Sequence, residues 1–74
     1  VSHRDVFRGM DCRIEPAGSA SMLTVKGGKG MLTISGNTDT ARLNGKEIRL
    51  GTLAVYVDRN DTFYVPRRLR ELLE

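Results

Sequence analysis

The chain predicts a small α+β domain. The expected architecture is a twisted antiparallel or mixed β-sheet of about five or more strands, with a short N-terminal helix and a C-terminal helix packed on one sheet face. Short alternating segments recur between glycine-bearing turns from Cys12 to Val65, which is strand punctuation. Asn44-Gly45 stands between two alternating segments, the pattern of a two-residue hairpin turn. Pro66 precedes Leu69, Leu72 and Leu73, whose i, i+3, i+4 spacing suits an amphipathic helix started by proline.

The elements follow in order. Ser2 is a candidate N-cap, with Asp5 near the positive helix end and Val6, Phe7 and Met10 at helical spacing; Gly9 ends this helix near Met10 or Asp11. Cys12-Arg13-Ile14-Glu15 alternates as a strand stopped by Pro16, and residues 16–21 read as a loop. Met22-Leu23-Thr24-Val25-Lys26-Gly27 is echoed by Met31-Leu32-Thr33-Ile34-Ser35-Gly36. Two copies are too few for a solenoid, so a hairpin with Leu23, Val25, Leu32 and Ile34 inward is expected. Gly27-Gly28-Lys29-Gly30 between them is turn chemistry. A phosphate loop needs Lys-Ser/Thr leading into a helix, and here a strand follows.

The Asn44-Gly45 turn places Leu43 opposite Lys46, Arg42 opposite Glu47 and Ala41 opposite Ile48. Arg42 and Glu47 then form a cross-strand ion pair on the outer face, while Ala41, Leu43, Ile48 and Leu50 share the inner one. Beyond it, Leu53, Val55, Val57, Phe63 and Val65 are expected on the core face, with Tyr56 and Tyr64 turned outward. Asp58-Arg59-Asn60-Asp61 reads as a hairpin loop; a calcium loop needs more oxygen ligands and a terminal bidentate Glu.

Seventy-four residues, 39% hydrophobic and 28% charged, describe a single folded domain near the lower size limit for a self-sufficient core. Val1 opens the chain without an initiator Met, so residues 1–74 are expected to be one domain excised from a larger protein. No apolar run reaches membrane-spanning length. Cys12 is the single cysteine, which excludes an internal disulfide framework and a cysteine zinc cluster, and it leaves the redox compartment open. The net charge of +3 favours weak, non-specific attraction to polyanions, although the basic residues are dispersed.

Two signatures, "LNGKEIRL" and "YVPRRLRELL", together with "VFRGMDCRIE" and the ribbon at 22–36, resemble the copper amine oxidase N-terminal-like domain, a stalk module of bacterial surface and secreted proteins. Arg67 stands where that family carries an apolar residue after Val-Pro, and Asn60-Asp61 replaces its second asparagine–glycine turn. The resemblance implies a sheet with a helix on one face and an extracellular or cell-envelope location. It also implies a non-catalytic binding or spacer role towards other domains of the parent protein or a cell-envelope component.

Copper chemistry does not follow from it. His3 is the only histidine, expected on the surface of the first helix, and a catalytic copper site needs several imidazoles. No histidine-paired nucleophile is present either, so enzymatic activity, a bound metal and a cofactor are not expected. The candidate partner surface is Arg42, Glu47, Arg49, Tyr56 and Tyr64. An alternative reading is a basic nucleic-acid-binding β domain that stacks bases on the two tyrosines.

Overall fold

The computed structural model describes the backbone of residues 1–74 and every side chain except those of Ser19 and Ala20. A single helical turn, α1 (His3–Val6), precedes six strands: β1 (Cys12–Ala17), β2 (Ser19–Gly27), β3 (Gly30–Ser35), β4 (Thr38–Leu43), β5 (Lys46–Val57) and β6 (Thr62–Tyr64). A 3₁₀ helix, Arg67–Leu72, closes the chain. The strands form one antiparallel meander in the order β1-β2-β3-β4-β5-β6, curled into a half-barrel.

The central hairpins follow local chemistry. Leu23 pairs with Ile34 and Val25 with Leu32 across β2 and β3, and all four side chains are buried. Asn44 and Gly45 both have positive φ, 54° and 83°, as a primed turn requires, and the pairs Leu43↔Lys46, Arg42↔Glu47 and Ala41↔Ile48 form. Asn44 does more than turn the chain. Its Oδ1 accepts from the Met31 N–H (2.9 Å) and its own N–H donates to the Met31 carbonyl (2.8 Å). Gly30 suits glycine here, because its φ is +151° and a Cβ would collide with the Asn44 side-chain amide that bonds Met31.

Several expectations need correction in the described structure. β1 runs through Pro16 and ends at Ala17 after a bulge, and residues 19–21 belong to β2 rather than to a loop. The register explains the proline. Gly27 and Gly30 close a two-residue turn and hydrogen-bond to each other, so along β2 the odd residues face β3 and the even ones face β1. Arg13 and Glu15, opposite Lys26 and Thr24, therefore make the ladder bonds to β2. Cys12, Ile14 and Pro16 face the free edge, where a missing N–H breaks no ladder.

The second correction concerns β5. Past an exposed Gly51-Thr52 its even residues turn inward again: Ala54 is fully buried and Tyr56 half-buried, whereas Leu53 and Val55 are 54% and 40% exposed. From Thr38↔Ala54 to Thr40↔Arg49, β4 advances two residues and β5 five. The surplus is taken up around Gly51, whose φ is +81°. Leu53-Ala54-Val55-Tyr56-Val57 is apolar on both faces, so hydrophobic alternation could not choose between them. The register makes Tyr56 the direct partner of the buried Phe63, and the two rings lie on one face with centroids 4.7 Å apart.

The third correction is His3, which is buried at 3% exposure rather than placed on the surface. The fourth is the C-terminus, which forms a 3₁₀ helix rather than an α-helix. Leu69 and Leu73 enter the core, and Leu72 remains half-buried. α1 itself is capped as expected, the Ser2 hydroxyl accepting from the Arg4 N–H at 3.2 Å, but it ends at Val6.

Candidate functional site

Two regions carry the features that a binding role needs. The first is the outer face of β4, β5 and β6. Arg42 and Glu47 face each other as direct strand partners and are both exposed, yet no ion pair within 4.0 Å joins them among the described side chains. The expected pair is thus a register relationship and not a contact. Arg49 follows two residues along β5 and is also exposed, lining a recess of about 190 Å³ with Arg68, Glu71 and Leu72 of the C-terminal segment.

Past Gly51 the same outer face turns apolar. Val55 and Tyr64 are direct partners across β5 and β6, 40% and 39% exposed, and Leu53 lies two residues before Val55. Leu53 and Val55 were absent from the expected surface because a core role was assigned to them. Tyr64 stands where the sequence placed it, and Tyr56 does not. Its ring lies on Phe63, and its hydroxyl donates to Asp61 Oδ1 at 3.0 Å. Desolvation, then the hydrogen bond to Asp61 and the charges of Asp61 and Asp58, push the Tyr56 pKa above its ordinary value of 10.0. The five expected surface residues therefore divide: Arg42, Glu47, Arg49 and Tyr64 share the outer face, and Tyr56 turns inward, half-buried against Phe63.

The second region is the seam of the half-barrel, where β1 and β6 fail to meet. A cleft of about 650 Å³ lies there, with Ile14, Glu15, Pro16, Met22 and Leu23 on one side and His3, Arg4, Asp61 and Phe63 on the other. Its far wall is tied down by long-range bonds. His3 Nδ1 accepts from the Phe63 N–H at 3.0 Å, with the two rings edge-to-face at 5.6 Å. The Arg4 guanidinium donates to Thr62 Oγ1 (2.8 Å) and to the Asp61 carbonyl (3.1 Å).

Because Nδ1 is an acceptor, the ring proton sits on Nε2 and the imidazole is neutral. Burial first, and the neighbouring Arg4 charge second, hold the His3 pKa below 6.5. The cleft thus presents apolar side chains edged by Arg4, Glu15 and Asp61, and its one imidazole is already committed through Nδ1 to the Phe63 amide. Nothing in the sequence marked His3 for burial; its hydrogen-bond partner lies 60 residues away.

Among the described residues, no group of three His, Cys, Asp or Glu side chains is arranged to hold a metal ion. Among the same described residues, no helix is long and apolar enough to cross a membrane. Compared with known protein families, curated proteins and solved structures, the chain matches none.

Proposed function

We propose that this domain is a non-catalytic binding or spacer module of a larger secreted or envelope-associated bacterial protein, and that it contacts its partner through the outer face of β4–β6. The observation that carries this reading is the composition of that face. Leu53, Val55 and Tyr64 are exposed together at one end, and Arg42, Glu47 and Arg49 at the other. An apolar centre beside mixed charge is the make-up of a modest protein contact. The resemblance to the copper amine oxidase N-terminal-like domain supports the same assignment and carries the envelope location with it. In this reading the C-terminal helix serves the fold, closing the half-barrel through Leu69 and Leu73, and its Arg68, Glu71 and Leu72 border the contact face beside Arg49.

The nucleic-acid alternative needs stacking platforms on a basic face. Tyr56 is half-buried with its ring against Phe63, which leaves Tyr64 as the one exposed tyrosine, beside Leu53 and Val55. The discriminating experiment measures binding of the purified domain to isolated bacterial cell wall and to single-stranded DNA across a salt series. The expected result is cell-wall or parent-domain binding weakened by Val55→Asp and Tyr64→Ala, with DNA binding that is weak and gone by roughly 0.15 M salt. DNA binding that survives such salt and is lost in Tyr64→Ala would overturn the module reading.

A further inference from the structure

The free edge of β1 is blunted at every position but one. Of the three residues whose backbone faces outward, Cys12 spends its N–H on the Met10 carbonyl at 3.0 Å and Pro16 has none. Ile14 keeps both an N–H and a carbonyl on the open side, and its side chain is 39% exposed beside the seam cleft. Arg13 and Glu15 flank it in the strand, Arg13 exposed and Glu15 half-buried at the margin of the same cleft. The far edge of the sheet offers no such opening, since β6 is bridged to Ser2.

We propose that this edge pairs with a second copy of the chain, β1 against β1 in antiparallel order about a two-fold axis at Ile14. The occupant and the register are both fixed by residues already described. With Ile14 opposite its own copy, each Ile14 N–H donates to the other's carbonyl. Each Cys12 then faces a Pro16, one donor already bonded and the other missing, so no edge N–H is left unsatisfied. Arg13 faces Glu15 of the second copy twice over, by symmetry.

The neighbouring registers fail on charge. Sliding by two residues one way sets Arg13 against Arg13, and the other way Glu15 against Glu15. Within one chain Glu15 holds only loose partners, Arg13 at 3.6 Å and Lys26 at 3.5 Å, so its carboxylate is available to a partner strand. Growth stops at two copies, because the axis uses the open edge of both and the β6 edges are covered. The contact is short and therefore weak, a transient dimer rather than an obligate one.

Charge reversal tests this on the 74-residue chain by sedimentation equilibrium up to roughly millimolar protein. The wild type self-associates reversibly to a dimer. Arg13→Glu at an exposed position and Glu15→Arg at a half-buried one each weaken that association by roughly tenfold while the thermal midpoint is kept. An equimolar mixture of the two variants regains association, since one strand then carries two acids and the other two bases. The double exchange, Arg13→Glu with Glu15→Arg, also regains it. A wild type that stays monomeric at the highest concentration overturns the proposal. So does self-association that both single variants retain, or that Val55→Asp abolishes and the β1 variants do not, which would move the contact to the outer face.

Discussion

At the β6 edge the Phe63 N–H is taken by the His3 imidazole and the Val65 N–H by the Val1 carbonyl at 2.8 Å, while at the β1 edge the Ile14 N–H looks onto an open seam. Both are outer strands of one meander, yet one is sealed by residues from the far end of the chain and the other only blunted by local chemistry. Sealing at β6 goes beyond backbone pairing. Arg4 holds Thr62 and the Asp61 carbonyl, and Arg70 donates to the carbonyls of Val6 (3.1 Å) and Arg8 (2.6 Å), so α1, β6 and the C-terminal helix form one knot. Stability and openness are thereby divided between the two edges. The β6 side holds the fold shut, and the β1 side is left able to meet a partner.

The sharpest way to break this division is inside the knot. Phe63 is fully buried and touches His3 and Tyr56. Phe63→Ala should cost about 3–5 kcal/mol, measured by urea denaturation, a large part of the stability of so small a domain. His3→Ala should cost about 1–3 kcal/mol, because it strands the buried Phe63 N–H without an acceptor.

His3 also predicts a pH dependence. Its folded pKa lies below 6.5, so between that value and 6.5 the unfolded chain takes up a proton that the folded chain refuses. The His3 contribution is therefore complete above pH 6.5 and is lost as the pH falls below it towards the folded pKa. The stability gap between wild type and His3→Ala should shrink from pH 7.5 to about pH 5; a gap that does not shrink would place the imidazole in solvent.

A further test concerns the inward turn of Tyr56. A Cβ at Gly36 would lie 2.5 Å from the Tyr56 Cβ, an atom fixed by the β5 backbone. Gly36→Ala should lower stability by about 1–3 kcal/mol, and an unchanged midpoint would mean that Tyr56 does not lie against that turn. At the opposite extreme, Ile14→Thr on the open edge should shift stability of the dilute protein by no more than about 0.5 kcal/mol.

The same contrast explains what was legible in the sequence. The Asn44-Gly45 hairpin could be read with its register, and the hairpin around Gly28-Lys29 with its inward face, because turn residues and alternation act over a few positions and agree with one another. The outward positions of Arg42, Glu47 and Arg49 followed from the Asn44-Gly45 register, and that of Tyr64 from alternation with Phe63 and Val65. Tyr56, Leu53 and Val55 could not be placed. They lie after a bulge at Gly51 in a segment apolar on both faces, and their orientation depends on Phe63 and on the β3–β4 turn. His3 was equally hidden, since a lone histidine in a charged opening segment gives no local sign of a partner 60 residues away. Pro16 misled for another reason: whether a proline ends a strand or lies along its free edge depends on which neighbour the strand has.

Amide hydrogen exchange, followed residue by residue in dilute solution, tests the unequal edges most directly. The Phe63 and Val65 amides should exchange only through opening that approaches global unfolding, and the Ile14 amide should exchange close to the rate of an unprotected peptide. Raising the protein concentration should then slow Ile14 while leaving Phe63 and Val65 unchanged. An Ile14 amide protected in the dilute protein as strongly as Phe63, or a Phe63 amide that exchanges as fast as Ile14, would contradict the account.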